Sequence, residues 1–355
     1  MKLIVLTGGG TSGHVTPNIA LLPGLREKGY AIHYIGSKNG IEKQLVENEG
    51  IPYHSISTGK LRRYFDLKNF TDFFRVADGF MQAFSLLGRL KPDIVFSKGG
   101  FVSCPVVWAA WFKRIPVAIH ESDMTPGLTN KLSMPFSKKV CYTFPESERY
   151  ISGEKAVFTG MPIRESLLKG DGKQGRKLCG FISTKPFILV IGGSQGSEII
   201  NKTLRNALES LLKDFQICHI CGKGNVKSEL SEISGYCQFE YVNDGLAHLF
   251  AAADIVISRA GATALFELLA LIKPALLIPL SKAASRGDQI LNAQSFEKHG
   301  FSKVLQEEML NKDTLISCIE EIYGNREILK KSMIISKIGN GTDRIISVLE
   351  EIMRQ

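Results

Sequence analysis

No stretch of this 355-residue chain reaches the roughly 18 uninterrupted apolar residues that a membrane span requires, so a spanning helix is not expected. The N-terminus MKLIVLTGGG runs into glycines before a secretory apolar region could form, and it reads as a first buried strand instead. Low-complexity tracts are absent, and with 44% hydrophobic and 22% charged residues the chain should fold throughout. The seven cysteines are odd in number and scattered, which argues against a disulfide framework and for reduced thiols in a cytosolic setting. Cys218 and Cys221 form a CxxC, but no second pair stands at zinc spacing and the surrounding FQICHICG reads as a buried strand. No two aspartates are separated by a single residue, which removes one common way of holding a metal-bound diphosphate.

What is present is a repeated alternation. The β-rich runs KLIVLT, AIHYIG, DIVFSKGG, PVAIHES and KVCYTF are separated by stretches of helical character, as in a parallel sheet with crossover helices. The pattern restarts at Pro186 with PFILVIGG, FQICHICG, QFEYV, DIVISRAG and PALLIPL. The length suits two domains, each with its own core. Two α/β, doubly wound, Rossmann-like domains facing across a cleft are therefore expected, residues 1–163 and 164–355, with a polar hinge near Met161 to Lys185. The last helix is a candidate to pack back on the first domain.

Each half carries a glycine loop between a strand and a helix. Gly8-Gly9-Gly10-Thr11-Ser12-Gly13-His14 offers backbone N–H groups beside a positive helix end, as a phosphate cradle would. Its letters also fit a dinucleotide-binding fingerprint, but the second strand runs into Ser37-Lys38-Asn39 without the ribose-gripping acid, and Glu42 already lies in the next helix. Gly192-Gly193-Ser194-Gln195-Gly196-Ser197 occupies the same position in the second half. A third loop, Lys98-Gly99-Gly100-Phe101, reads either as a further phosphate contact or as a plain turn. Glu267, on an otherwise apolar helix after Arg259-Ala260-Gly261-Ala262-Thr263, is either a dipole partner or an acceptor for two sugar hydroxyls. Gln289 and Asn292 share a helix face suited to a hydroxyl-rich ligand. The net charge of +9 favours an anionic partner without choosing among nucleic acid, an acidic membrane face and a phosphorylated substrate.

The ordered motifs GGGTSGHVTP, SKGGF, HESDMTPGLTNK, TGMPIR, GGSQGS, SRAGATALFE and DQILNA cover essentially the whole chain, and together they resemble the MurG family. That family transfers N-acetylglucosamine from its UDP carrier to undecaprenyl-pyrophosphoryl-MurNAc-pentapeptide (lipid I), giving lipid II in peptidoglycan synthesis. The resemblance implies a GT-B fold, an acceptor and membrane-facing first domain and a UDP-GlcNAc-binding second domain. It implies peripheral attachment at the cytoplasmic side of the plasma membrane, an anionic lipid surface as partner, no nucleic acid, no cofactor, and association with other cell-wall synthesis proteins.

By position, the resemblance places Thr11, Ser12 and Gly13 at the sugar and diphosphate, Arg164 and Ser194 on diphosphate oxygens, and Glu267 on the ribose. Val242 and the backbone of Ala262, Thr263, Ala264, Leu265 and Phe266 would form the uracil and ribose shelf. Gln289 and Asn292 would meet the N-acetylglucosamine, and Gly9, Gly10, Gly99 and Gly100 the acceptor diphosphate. Many members have HEQN where this chain has His120-Glu121-Ser122-Asp123, so Asp123, which as a carboxylate only accepts hydrogen bonds, becomes a donor-site candidate towards a sugar hydroxyl.

An α-linked donor and a β-1,4-linked product imply inversion by single displacement, which needs a base near the acceptor hydroxyl. His14 is the first candidate, with a cap or packing role as the bland alternative, and Glu121 is the second, or the group that orients the base. Without a D-x-D motif, departing UDP would be stabilised by Arg164, the second glycine loop and its helix dipole, independently of metal. The aromatic and basic run with Arg62, Arg63, Lys68, Phe70, Phe73, Phe74, Arg75, Phe80, Met81 and Phe84, joined by Trp108, Trp111, Lys113 and Arg114, is a candidate interfacial surface, or in part core. Rival readings are a UDP-GlcNAc 2-epimerase, another glycolipid glycosyltransferase, a nicotinamide or flavin oxidoreductase, and a non-catalytic nucleotide-sugar binding subunit.

Overall fold

The structure, a computed structural model, describes residues 2–59, 68–151, 153–182, 184–193, 195–336 and 338–354, with the side chains of 68–73 also outside the description. It divides into two compact units, Met1–Arg164 with Asn340–Gln355, and Glu165–Gly339.

In the first unit, β1 (Leu3–Thr7), β2 (Ala31–Ser37), β3 (Tyr53–Ile56), β4 (Ile94–Ser97), β5 (Val117–Glu121), β6 (Lys139–Tyr142) and β7 (Ala156–Phe158) form a parallel sheet of order β3-β2-β1-β4-β5-β6-β7. The central strands are apolar on both faces because helices cover both: β4 and β5 are buried along their whole length. The edge strands β3 and β7, half exposed, lack that signature, and the sequence reading passes over both. Helices α1 (Thr16–Glu27), α2 (Ile41–Glu47), α3 (Lys68–Leu90), α4 (Ser103–Phe112) and α5 (Leu128–Ser133) follow in turn. α1 begins with a proline in its first turn, where the missing N–H costs no intrahelical bond.

The final helix, Thr342–Arg354, belongs to this unit and not to the second. Its buried face, Ile345, Ile346, Val348, Leu349 and Ile352, joins Leu21, Leu22 and Leu25 of α1 in one core cluster. Burial of five such side chains contributes about 10 kcal/mol before chain entropy, enough to fix the chain's return. Asn340 Oδ1 accepts from Ile163 N (3.1 Å) and caps Thr342 N (3.0 Å), and Gly341 N donates to Met161 O (2.8 Å). Arg164 ends the first unit, and the chain re-enters it at Asn340.

In the second unit, β8 (Phe187–Ile191), β9 (Gln216–Ile220), β10 (Tyr236–Phe239), β11 (Ile255–Ser258), β12 (Ala275–Leu277) and β13 (Ser302–Val304) form a parallel sheet of order β10-β9-β8-β11-β12-β13. Helices α6 (Gly172–Leu178), α7 (Glu198–Leu211), α8 (Leu246–Ala252), α9 (Ala262–Ala270), α10 (Asp288–Lys298) and α11 (Lys312–Ile335) complete it. α11 starts with a capping box from Asn311 and Thr314. In both sheets the strand order reverses next to the first strand, between β1 and β4 and between β8 and β11. Such switch points are where open α/β sheets place their ligands, and both glycine loops start there.

Candidate functional site

In the first unit, the loop after β1 is held from beneath by an acid. Glu42, fully buried at the start of α2, accepts from Gly10 N (3.2 Å), Ser37 N (3.0 Å) and Ser37 Oγ (2.5 Å). On its other side the loop meets the turn after β4 so closely that a Cβ on Gly100 would lie 2.1 Å from Gly9 O, and Gly100 itself has φ +82°. Tyr34 OH donates to Gly8 O (2.8 Å), and Asn18 Nδ2 to Thr7 O (3.2 Å).

His14, half-buried in the turn that ends this loop, contacts Lys98 O through Nδ1 (3.1 Å). A carbonyl only accepts, so Nδ1 carries the proton and the neutral ring has its lone pair on Nε2. That is the tautomer a general base requires. Glu121, the other candidate base, is buried at the end of β5 with both oxygens engaged: Oε1 accepts from Asp123 N (3.0 Å), Oε2 from Gly127 N (2.9 Å) and Asn130 Nδ2 (2.8 Å). Burial, and next the Asp123 charge, raise its carboxyl above the usual range, while those three donors pull it down. The geometry is that of a carboxylate that shapes the loop Ser122–Gly127.

Lys98 and His120 complete this end of the sheet. Lys98 is fully buried and its Nζ contacts Ser122 Oγ; burial brings its ammonium down to about 8, with Glu121 and Asp123 opposing that shift. His120 is also fully buried, with Nε2 on Gly160 O (2.9 Å), and burial followed by the Lys98 charge holds it well below its ordinary value, hence neutral.

In the second unit, a cation takes the place that Glu42 has in the first. Arg259, directly after β11, donates to Ser197 Oγ (2.6 Å), Ile278 O (3.1 Å) and Pro279 O (3.3 Å), and pairs with Glu307. It thereby ties together the loops after β8, β11 and β12. A Cβ on Gly196 (φ +80°) would lie 2.1 Å from Cys221 O, so the second glycine loop rests directly on the turn after β9. Asn201 of α7 holds that turn through Nδ2 to Cys221 O (2.8 Å).

Past Arg259, α9 begins at Ala262, and Glu267 sits on it almost buried. Thr263 and Ala264 are half-buried, whereas Ala262, Leu265 and Phe266 are buried, so the last three present backbone more than side chain to a ligand. On α10, half-buried Gln289 accepts from Leu280 N (3.1 Å). Asn292 is fully buried and donates to Ala260 O (3.4 Å), which fastens α10 to the loop after β11. Val242 is half-buried after β10.

Residues 4–142 match the Glycosyltransferase family 28 N-terminal domain and residues 187–347 the Glycosyltransferase family 28 C-terminal domain. The chain belongs to glycosyltransferase family 28. A relative from Clostridium tetani, named UDP-N-acetylglucosamine--N-acetylmuramyl-(pentapeptide) pyrophosphoryl-undecaprenol N-acetylglucosamine transferase, is 58% identical over 350 residues, 99% of this chain and 98% of its own. The crystal structure of Acinetobacter baumannii MurG matches with a TM-score of 0.76 at 25% identity, covering 99% of this chain and 100% of that one. CalG4, the calicheamicin glycosyltransferase, matches with a TM-score of 0.72 at 14% identity, over 100% of this chain and 99% of its own, and shows the fold alone.

As a family 28 glycosyltransferase the chain has the expected two doubly wound domains of the GT-B class. Gly10 N donates to Glu42 (3.2 Å) and Gly99 N to Ser97 Oγ (3.3 Å). Their loops are glycine-rich because they pack on each other. Among the described residues no group of three or more His, Cys, Asp or Glu is placed to hold a metal ion, and Cys218 and Cys221 are buried at the end of β9 with Cys221 Sγ on Phe239 O (3.3 Å). Ser194 lies outside the described residues, as do Arg62 and Arg63 and the side chains of Lys68, Phe70 and Phe73. Glu42, Lys98 and Arg259 were missed as site residues. The signal for Arg259 was available, since it is a charge placed directly after a switch-point strand.

The aromatic surface divides in two. Phe80 and Phe84 pack against the core cluster of α3 and α4, with Lys113 Nζ 3.7 Å from the Phe84 ring centre. Phe74 and Met81 on α3, and Trp111 and Phe112 on α4, are exposed, with Arg75 and Arg114 exposed nearby in sequence. Among the described residues no helix is long and apolar enough to cross a membrane.

Proposed function

We propose that this family 28 enzyme transfers N-acetylglucosamine from UDP-N-acetylglucosamine to the 4-hydroxyl of MurNAc in undecaprenyl-pyrophosphoryl-MurNAc-pentapeptide, inverting the sugar linkage. The observation that carries this is the 58% identity, along nearly the whole chain, to a relative named for that transfer. The first unit supplies the base. His14, with Nδ1–H held by the Lys98 carbonyl, takes the acceptor hydroxyl proton on Nε2 as the oxygen attacks the anomeric carbon and the bond to UDP breaks. Glu121 acts as a positioning residue for the loop that follows β5.

The second unit holds the donor. Glu267 accepts the ribose hydroxyls, Val242 and the Ala262–Phe266 backbone flank the uracil, Gln289 meets the sugar, and Asn292 positions the loop after β11. Thr11, Ser12, Gly13 and Arg164 are assigned by resemblance to the sugar and diphosphate. The second glycine loop, ahead of the α7 dipole, takes the departing diphosphate, and no metal is required. Phe74, Met81, Trp111 and Phe112, with the neighbouring cations, seat the first unit peripherally on the cytoplasmic, anionic face of the membrane.

The test is transfer of labelled N-acetylglucosamine to a synthetic lipid-pyrophosphoryl-MurNAc-peptide in EDTA, for wild type and His14→Ala. Robust wild-type transfer and a fall of about two orders of magnitude or more in the variant are expected. Turnover of UDP-N-acetylglucosamine that needs no acceptor would mean an epimerase, and dependence on added metal would overturn the account of the leaving group.

A further inference from the structure

The turn after β9 carries the second glycine loop and is itself tied down from inside the unit. A Cβ on Gly222 would lie 2.4 Å from Gln195 O, and one on Gly196 2.1 Å from Cys221 O, so loop and turn meet backbone to backbone. Asn201 joins the two. Its backbone N donates to Ser197 O (2.8 Å), where the loop enters α7, and its Nδ2 donates to Cys221 O (2.8 Å) in the turn. That leaves Oδ1 to accept, and the group it meets is His219 Nε2 (2.8 Å). The other ring nitrogen, Nδ1, lies 2.8 Å from the Tyr236 hydroxyl. One tautomer fits this row: Nε2 carries the proton and donates to Asn201, and Nδ1 accepts from Tyr236. Asn201, His219 and Tyr236 are 2%, 0% and 4% exposed, so the row is closed to solvent, and a satisfied buried network holds its members in one geometry. Burial, and next the Arg205 charge, brings the His219 imidazole down to about 3, and the ring stays neutral. An apolar side chain would fill the same space without the cost of burying a polar ring. What the imidazole adds is a fixed orientation of the Asn201 amide.

We propose that His219 is a positioning residue for the UDP diphosphate: through Asn201 it sets the backbone of Gln195, Gly196 and Ser197 in the second glycine loop. The proposal rests on the transferase reading above, which puts the departing diphosphate at that loop. Fully buried, His219 touches no substrate, and its effect reaches the ligand only through Asn201 and the two backbone segments that Asn201 clamps.

The experiment compares wild type, His219→Leu, His219→Gln and Tyr236→Phe. It measures UDP affinity by calorimetry, KM for UDP-N-acetylglucosamine and for the synthetic lipid acceptor separately, and the thermal midpoint. His219→Leu removes the donor to Asn201 and is expected to weaken UDP binding about tenfold, with a matching rise in the KM of the UDP-sugar and an acceptor KM within about twofold of wild type. His219→Gln, whose amide N–H replaces Nε2–H, should bring UDP affinity back to within about threefold of wild type. A merely structural role would lower the thermal midpoint of His219→Leu and leave its UDP affinity at the wild-type value, and that result overturns the proposal. So do equal losses for both substrates, and a His219→Gln no better than His219→Leu. If His219→Leu does not fold, Tyr236→Phe decides, because it leaves Nδ1 without its donor: UDP affinity about two- to threefold weaker is expected, and wild-type affinity overturns the proposal. Wild-type protein that binds UDP without transferring sugar sinks the transferase reading alone, since the UDP affinities still decide the role of His219. Wild-type protein that does not bind UDP sinks both.

Discussion

The two glycine loops follow the same plan, strand then glycines then helix at a switch point, yet they are secured by opposite charges. The first is held by a buried carboxylate, Glu42, which takes the Gly10 amide for itself. The second is held by a guanidinium, Arg259, which grips Ser197 and the carbonyls of Ile278 and Pro279. An anion bound at the first loop would meet an internal acid, and one bound at the second would meet a guanidinium that Glu307 already pairs. The local motif alone therefore does not make a phosphate cradle; the charge beneath the loop decides what it presents. In the proposed transfer, the first loop sets His14 and the second receives the diphosphate.

The most direct way to break the comparison is Glu42→Ala. It leaves the Gly10 and Ser37 amides and the Ser37 hydroxyl without their acceptor, and a loss of about 3 kcal/mol in unfolding free energy is expected by denaturant titration. An unchanged midpoint would mean that the acid does not secure the loop. Arg259→Met should weaken UDP binding about tenfold in calorimetry, or about 1.4 kcal/mol, with little change in the KM of the lipid acceptor. Equal loss for both substrates would erase the distinction between the loops.

A further expected effect is a pH dependence. The Lys98 ammonium titrates at about 8 in the folded protein against about 10.5 when unfolded, so between those values the unfolded chain binds more protons and stability gains with rising pH. The penalty is fully present below 8 and fades as pH climbs through this window. Wild type should therefore gain on Lys98→Met in thermal melts as the pH is raised from about 7.5 to about 10; a constant difference would mean that the lysine is not buried as charged.

The central strands were legible because a strand covered on both faces must be almost wholly apolar, as IVF of β4 and FILVI of β8 are. The edge strands β3, β7 and β13 were not, since a half-exposed strand of three or four residues carries no such run. The position of His14 was legible from its place after a glycine loop. The contacts of Glu121 were not, because its partners Gly127 and Asn130 come within reach only once α5 turns back towards the end of β5.

By itself, then, the order of apolar runs and glycine loops determined two parallel sheets and where their ligand-facing ends lie, because periodicity and chain direction are local properties. Tertiary structure decided that the last helix, a candidate from the sequence, does close the first unit, and it alone decided that Glu42 and Arg259 lie beneath the two loops and that Lys98 reaches Ser122. Each of these joins residues distant in the chain, and the free energy that selects them, apolar burial and the pairing of buried charge, exists only once the chain has folded.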